Sequence, residues 1–271
     1  MAVIVGAILW RLEALVILFL LFSILGLVEF YQLIDKHDIK PQKIYGIIAG
    51  VIFFFLFFPG IISSDLPLLP VILVSLFGTS FIVELFRKSD KPFLNVATTF
   101  LGIFYVVIPF SLLIYIVRVL FFTEAVISTP FSVANATSSY KYFLLGYFLL
   151  IWSNDTFAYL IGKTIGKHKL FERISPQKTW EGFVGGLVVT QVIAFIISIY
   201  FTELAFIHWL VIGLIISVFG TLGDLVESMF KRSLGVKDSG EILPGHGGIL
   251  DRFDGMLLSS SFVVTYLIFI K

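Results

Sequence analysis

Residues 13–34 read EALVILFLLFSILGLVEFYQLI, and this stretch decides the class of fold. Its only charged residues are Glu13 and Glu29, and a transmembrane helix needs about 20 mainly apolar residues. Comparable runs recur along the chain, at residues 43–58, 67–86, 94–117, 141–162, 181–202, 205–230 and 251–270. The sequence therefore predicts an all-α, polytopic integral membrane protein with eight full spans.

Residues 2–10 are also apolar but are too short to cross a bilayer alone. They lack the basic start and the small-residue cleavage site of a signal peptide. We expect a partial N-terminal span here, either the tail of a longer helix or one arm of a helix–turn.

The composition excludes most other classes of protein. Of 271 residues, 58% are hydrophobic and only 14% are charged, whereas a water-soluble domain carries about a quarter charged residues. The absence of Cys excludes thiolate catalysis and Cys-ligated metals. A net charge of +1 provides no electrostatic footprint for nucleic acid. The expected partner is the lipid bilayer, and nucleic acid is not expected.

Most Lys and Arg residues fall in alternate loops, which sets the orientation because basic loops stay in the cytoplasm. These loops hold Lys36, Lys40, Lys43, Arg87, Lys88, Lys91, Lys163, Lys167, Lys169, Arg173, Lys178, Lys231, Arg232, Lys237 and Arg252. The opposite side holds Arg11, Arg118, Lys141 and Lys271. We therefore expect the first set in the cytoplasm and the C-terminus outside.

The chain changes character after residue 140. Residues 1–140 are nearly featureless apolar spans joined by short loops, and no internal repeat is visible. Residues 141–271 carry most of the glycines, the longer loops and most of the acids within spans. We interpret 1–140 as a membrane scaffold with a dimerisation region, and 141–271 as the C-terminal catalytic membrane domain.

Carboxylates within spans are expensive, so each one is a candidate for function. Near the cytoplasmic ends of four predicted spans lie Asp155, Glu181, Asp224, Glu227, Asp251 and Asp254. Asp224 and Glu227 are three residues apart and share a helix face, and so do Asp251 and Asp254. Like charges this close repel each other unless a cation binds between them. Mg²⁺ is typically held by one or two carboxylates plus substrate phosphates. The pattern predicts a Mg²⁺ site, alone or with a second cation.

Two of these acids have a structural alternative. Glu181 follows Thr179 at a predicted helix start, where a carboxylate can stabilise the positive N-terminal end of the helix. Glu227 is four residues before Lys231, the spacing of an ion pair on one helix face.

The loop in residues 228–255 mixes acids, cations and glycines. Its cations are Lys231, Arg232, Lys237 and Arg252. Residues 244–248 read PGHGG, a stiff corner followed by glycines that let backbone N–H groups approach an anion before a helix N-terminus. This mixture is typical of a metal-bound polyphosphate site, with His246 either binding there or serving as a structural hydrogen-bonding group.

A second basic loop, residues 163–182, contains the run SPQKTWEG at 175–182. Basic residues beside a membrane suit anionic lipid headgroups. The stretch 162–168 is only superficially like a phosphate-binding P-loop, because its glycines are too close together and His168 replaces the required Ser or Thr. We therefore expect neither a P-loop nor a Rossmann nucleotide site.

The run from Ser228 to Asp254 resembles the signature of the phosphatidate cytidylyltransferases, or CDP-diacylglycerol synthases. The matching elements are Ser228, Lys231-Arg232, Lys237-Asp238, Pro244–Gly248, Asp251-Arg252 and Asp254. Two further blocks resemble the family: Asp155 with Ala158, Tyr159 and Gly162, and Ser175–Gly182 followed by Gly185 and Gly186. The resemblance covers the C-terminal half, together with a patch at Glu29–Tyr31. The family usually has a complete additional span ahead of that patch, where this chain has only residues 2–10.

The resemblance implies transfer of CMP from CTP to phosphatidic acid by a Mg²⁺-dependent, homodimeric enzyme of the bacterial inner membrane, with its active site facing the cytoplasm. It implies Asp224, Asp251 and Asp254 as metal ligands, with Lys237 and Arg252 acting in catalysis. The residues expected to bind substrate are Asp155, Ser175, Lys178, Glu227, Ser228, Lys231, Arg232, Asp238, Pro244, Gly245, His246, Gly247 and Gly248.

Three alternative functions use parts of the same pattern. A CTP-dependent transferase or kinase acting on an isoprenoid lipid would need the same headgroup chemistry. A CDP-alcohol phosphotransferase begins its motif as Asp251 to Gly255 do, but the Ala-Arg expected shortly afterwards is absent. An ion-coupled transporter would place acids near the midplane within repeats, whereas here they lie at one surface beside cations.

Overall fold

The computed structural model describes residues 1–56, 68–121, 139–202, 204–240 and 247–270. Within these ranges helices make up nearly all of the regular structure, which confirms the predicted all-α class. The predicted site residues Pro244, Gly245 and His246 lie outside the described residues, as do the adjoining ends of the predicted spans 43–58 and 67–86.

The described helices follow the apolar runs, because a backbone in lipid must satisfy its own hydrogen bonds. They are α1 (Ala2–Trp10), α2 (Leu12–Asp35), α3 (Lys43–Leu56), α4 (Leu68–Leu85), α5 (Pro92–Gly102), α6 (Ile108–Phe121), α7 (Ser139–Ile165), α8 (Trp180–Tyr200), α9 (Phe206–Ile215), α10 (Thr221–Ser233) and α11 (Leu250–Ile270). Two π-helical turns, Ile103–Val107 and Ile216–Gly220, join α5 to α6 and α9 to α10 without a break. Such turns frequently occur at functional sites, and the second directly precedes the helix that carries Asp224.

In the part of the chain that the structure describes, six helices are long and apolar enough to cross a membrane. They are Leu12–Asp35, Pro92–Leu120, Tyr140–Ile165, Trp180–Tyr200, Phe206–Ser233 and Leu250–Ile270. The other two predicted spans coincide with the shorter apolar helices Lys43–Leu56 and Pro70–Leu85. The chain is therefore an integral membrane protein with several spanning helices, and the number of eight spans stays a prediction.

Residues 2–10 form the separate short helix α1, in agreement with the helix–turn alternative. The helix ends at Arg11, whose backbone is extended, with φ −149° and ψ 152°. The Nζ of Lys141 donates a hydrogen bond to the carbonyl oxygen of Leu9 at 2.7 Å. A cation at this position satisfies a terminal carbonyl and suits the negative end of the helix dipole.

The chain divides into two compact units. The first contains Met1–Arg11, Ala136–Lys237 and Phe253–Lys271, and the second contains Leu12–Asn135 and Asp238–Arg252. In the first unit α8 packs against both α7 and α9. In the second unit α2 packs against α3 and against the turn that joins α5 to α6. The predicted division into a scaffold and a catalytic domain at residue 140 stays a prediction.

A buried carboxylate in the second unit is satisfied by neighbouring side chains. Glu84 accepts hydrogen bonds from the side-chain amides of Gln42 and Asn95, both at 2.7 Å, and from the Arg87 guanidinium at 2.9 Å. Its side chain is only 2% exposed. Because hydrogen bonds and an ion pair stabilise the buried charge, Glu84 has a structural role.

Candidate active site

A short hairpin in the first unit presents Lys178. Strand β1 (Lys169–Phe171) pairs antiparallel with β2 (Ser175–Thr179), and α8 begins directly after β2. The Thr179 hydroxyl accepts the Gly182 backbone N–H at 3.2 Å, which is a standard helix N-cap. The position of Lys178 is therefore set by the hairpin on one side and by a capped helix on the other.

Glu181 has a structural role, but with partners outside its own helix and not as the cap of the helix start. Its carboxylate accepts the backbone N–H groups of Lys167 at 3.1 Å and His168 at 3.2 Å. It also lies 2.6 Å from the His168 Nδ1. These contacts attach the start of α8 to the chain segment that enters the hairpin.

Lys178 contacts Asp224, one of the predicted metal ligands. The Lys178 Nζ lies 2.5 Å from the Asp224 Oδ2, and the Ser228 hydroxyl donates to the Asp224 Oδ1 at 3.3 Å. The side chains of Lys178 and Asp224 are 25% and 36% exposed, so both remain accessible to a ligand. The structure thus joins three predicted site residues from the hairpin and from α10.

Two further aspartates, from α7 and α11, complete this cluster. Asp155 interacts electrostatically with Lys178 and Asp224, and Asp254 interacts with Asp155 and Asp224. The backbones of α10 and α11 approach closely, since a Cβ on Gly223 would lie 2.6 Å from the Asp254 carbonyl oxygen. We call Asp155, Lys178, Asp224 and Asp254 the lysine–aspartate cluster.

The donor set of this cluster is suitable for Mg²⁺. Its three carboxylates supply hard oxygen ligands, which Mg²⁺ prefers, and Mg²⁺ usually completes its shell with water and substrate phosphate. Among the described residues no three His, Cys, Asp or Glu side chains alone surround a metal position. One or two carboxylates of the cluster together with a phosphate would be sufficient.

Glu227 and Lys231 form the ion pair that the sequence left as an alternative. The Lys231 Nζ lies 2.6 Å from the Glu227 Oε2, and the Glu227 side chain is 1% exposed. Glu227 also interacts electrostatically with Asp254. Lys231 therefore adds positive charge next to the cluster, but its ammonium group is directed to Glu227.

The remaining cations of the signature are accessible in the structure. Arg232, Lys237 and Arg252 are exposed, as is Asp238, while Ser175 at the start of β2 is half-buried. The Arg232 guanidinium donates to the Val236 carbonyl oxygen at 3.5 Å, just after α10 ends. The predicted roles of these residues in binding stay predictions.

Asp251, in the second unit, orders the turn ahead of α11. Its Oδ2 accepts the backbone N–H groups of Ser239 and Gly248, both at 3.1 Å, and the Ser239 hydroxyl at 2.9 Å. Gly247 has the left-handed φ of +78°, which glycine adopts readily. We call residues 239–240 and 247–251 the Asp251 turn.

Glu29 on α2 belongs to the same arrangement and was absent from the predicted site. Its carboxylate accepts the Ser239 hydroxyl and, at 2.7 Å, the Ile249 backbone N–H. The side chain is 1% exposed. The available signal was its charge within a predicted span, which by itself marks a candidate, and its place in the patch that resembles the family.

An apolar groove of the first unit is walled by the same hairpin and helix α10 that carry Lys178 and Asp224. Helix α10 places Leu222 and Leu225 in its wall, on either side of Asp224 in the sequence, and Trp180 follows Lys178 by two residues. The full lining is Leu170, Phe171, Trp180, Phe183, Val218, Thr221, Leu222 and Leu225. The hairpin and α10 thus contribute residues to both the groove and the cluster.

The spanning helices define a polytopic membrane protein, and the lysine–aspartate cluster is its candidate site. The chain belongs to the cytidylyltransferase family, whose model matches residues 1–270.

Its similar proteins include three from staphylococci that are named phosphatidate cytidylyltransferase. The protein of Staphylococcus aureus (strain COL) is 39% identical over 247 residues, and that of Staphylococcus saprophyticus is 38% identical over 247 residues. The protein of Staphylococcus epidermidis is 36% identical over 246 residues. Each alignment covers 89% of this chain and 86% of the relative.

Proposed function

We propose that this protein transfers CMP from CTP to phosphatidic acid, which yields CDP-diacylglycerol and pyrophosphate. The observation that carries the proposal is the lysine–aspartate cluster, whose hairpin and helix α10 also wall an apolar groove. The cluster would hold a metal-bound phosphate, and the groove would hold a lipid chain. The names of the staphylococcal relatives support the same reaction.

The reaction requires two anions to meet. An oxygen of the lipid phosphate attacks the α-phosphorus of CTP, and the bond from that phosphorus to the oxygen bridging to the β-phosphate breaks, so that pyrophosphate leaves. The lipid phosphate is already ionised at neutral pH, so the step needs no strong general base. Catalysis is then mainly positioning and neutralisation of charge.

The cluster divides these tasks between its acids and its lysine. Asp224 and Asp254 would hold Mg²⁺, and the sequence prediction adds Asp251 from the same helix as Asp254. When bound, the metal would supply positive charge to the phosphate oxygens of CTP. Lys178 would contact the lipid phosphate, and Asp155 would orient the Lys178 ammonium.

The cations of the signature are assigned to the nucleotide. Lys237 and Arg252 would neutralise the charge that develops on the departing pyrophosphate, with Lys231 and Arg232 adding positive charge around CTP. The backbone N–H groups of residues 245–247 would contact its phosphates. His246 is assigned to binding, because no base is required.

We also propose that the site faces the cytoplasm of a bacterial plasma membrane and that the protein forms a homodimer. The distribution of Lys and Arg residues supports this orientation, and the staphylococcal relatives support a bacterial membrane. The homodimer rests on the family resemblance alone.

The proposed reaction is tested with purified protein in detergent micelles containing radiolabelled CTP, Mg²⁺ and phosphatidic acid. Label is expected to enter the lipid phase only when phosphatidic acid and metal are both present, and a chelator is expected to abolish the transfer. Transfer to an isoprenoid-ether phosphatidic acid or to a polyprenol, but not to diacyl phosphatidic acid, would replace the proposal by its isoprenoid alternative. Transfer that persists in chelator would contradict the metal assignment.

Filling the apolar groove is expected to weaken lipid binding selectively. Leu222→Trp should raise the KM for a long-chain phosphatidic acid roughly 15-fold, since excluding about two methylene groups from the groove loses about 1.6 kcal/mol. The KM for CTP should stay unchanged, and a short-chain phosphatidic acid should be less affected. Steady-state kinetics in mixed micelles measures all three values.

Val192→Trp is the matched control for this variant. Val192 is exposed on α8 and does not line the groove, so the same enlargement there should change neither KM. Equal effects of Leu222→Trp on the KM for short-chain and long-chain lipids would contradict binding of the acyl chain in the groove.

A further inference from the structure

We propose that Glu29 is a positioning residue for the reaction, acting through Ser239 on Asp251. The inference rests on the proposed function, and it extends the site to helix α2, which lies outside the region that carries the signature. Glu29 would not touch substrate; it would set the conformation of the Asp251 turn and the charge that Asp251 experiences.

Glu29 connects to the Asp251 turn at two points. One carboxylate oxygen accepts the Ile249 backbone N–H at 2.7 Å, and the other accepts the Ser239 hydroxyl. These partners are separated from Glu29 by 220 and 210 residues of sequence, respectively. A single buried side chain therefore ties together the two described segments of the Asp251 turn, at Ser239 and at Ile249.

Ser239 relays this contact to Asp251. Its hydroxyl contacts the Asp251 Oδ2 at 2.9 Å as well as Glu29, and its backbone N–H donates to the same Asp251 oxygen at 3.1 Å. A serine hydroxyl has one proton to donate, so it serves one of the two carboxylates at a time. The two acids also interact electrostatically, and a change at Glu29 must therefore alter the environment of Asp251.

The glycines of the turn provide independent support. A Cβ on Gly248 would overlap the Glu29 Oε1 and the Ser239 Oγ, and a Cβ on Gly240 would lie 3.1 Å from the Glu29 Cδ. Gly248 does not have a positive φ, unlike Gly247, so the backbone conformation does not demand glycine there. Glycine is required at position 248 because the Glu29 side chain occupies the space that a Cβ would need. The last glycine of the PGHGG run is therefore linked to an acid in α2.

The first test compares Glu29→Ala, Ser239→Ala and the double variant in the full-length protein. Each single variant is expected to lower kcat about 10- to 100-fold, the range found when groups that orient metal ligands are removed, with a smaller change in the KM for phosphatidic acid. Because both residues act through one connection, the double variant should be close to the worse single variant. Glu29→Gln keeps the size and an acceptor for the Ile249 N–H, so it should retain more activity than Glu29→Ala.

Glu84→Gln is the control for loss of a buried acid. Glu84 is buried in the same unit but belongs to a separate network, so this variant should lower the thermal midpoint without lowering kcat. If Glu29→Ala keeps the wild-type kcat, or if the Glu29 and Ser239 effects multiply as independent ones, the positioning role is wrong.

Hydrogen exchange makes the inference testable apart from the reaction. In Glu29→Ala the amides of Ser239, Gly248 and Ile249 are expected to lose protection relative to wild type, while amides of α3 keep theirs. Absence of label transfer by the wild-type protein would contradict the proposed function, and unchanged protection at these three amides would contradict the role of Glu29. The two failures are therefore distinct.

Discussion

Asp251→Asn is expected to lower the kcat for CMP transfer by about 10²- to 10³-fold, comparable to removing one charge-stabilising group from an active site. The Asn side-chain oxygen can still accept the N–H groups of Ser239 and Gly248, which Asp251 binds at 3.1 Å. The substitution therefore keeps the turn and removes the negative charge, which a metal ligand requires. The measurement is kcat at saturating CTP and phosphatidic acid over a series of Mg²⁺ concentrations.

Asp90→Asn is the matched control, because Asp90 is an exposed aspartate outside the proposed site. Both variants should accumulate in the membrane at the wild-type level, and Asp90→Asn should keep full activity. Near-wild-type turnover by Asp251→Asn would contradict the role of Asp251 as a metal ligand. It would not affect the assignment of the chain to the cytidylyltransferase family.

Lys178→Ala is expected to reduce kcat/KM for phosphatidic acid by about 10²- to 10³-fold. The Lys178 Nζ lies 2.5 Å from Asp224 and interacts with Asp155, so its removal leaves these carboxylates without that counter-charge. The lipid phosphate would then approach a more negative site, and both binding and the chemical step should suffer. Lys178→Arg should keep part of the activity, since it keeps the charge but not the compact geometry of an ammonium.

The control for Lys178 lies in the same hairpin. Lys169 on β1 is exposed, so Lys169→Ala removes an equal charge from the loop without touching the cluster. Lys169→Ala should change kcat/KM for phosphatidic acid little. If Lys178 acted only by attracting anionic lipid to a basic loop, Lys169→Ala and Lys178→Ala would reduce activity equally. Steady-state kinetics against both substrates separates these outcomes, and equal reductions would contradict a specific role for Lys178.

Local patterns in the sequence were sufficient for the class of fold and for part of the site. An apolar run in a bilayer must form a helix because its backbone has no other hydrogen-bonding partner, so α2, α7, α8 and α11 follow closely from residues 13–34, 141–162, 181–202 and 251–270. The Glu227–Lys231 ion pair is similarly local, since residues four apart on a helix are neighbours.

Contacts between distant segments were decided by the tertiary structure alone. The sequence placed Lys178 and Asp224 in one site, but only the packed hairpin and α10 direct the lysine to the aspartate at 2.5 Å. The sequence contained Glu29 as an acid in a span, but only the path of the Asp251 turn brings Ser239 to it across 210 residues. Helix formation depends on neighbours along the chain, whereas these contacts depend on how helices pack and loops return, and no local pattern encodes that.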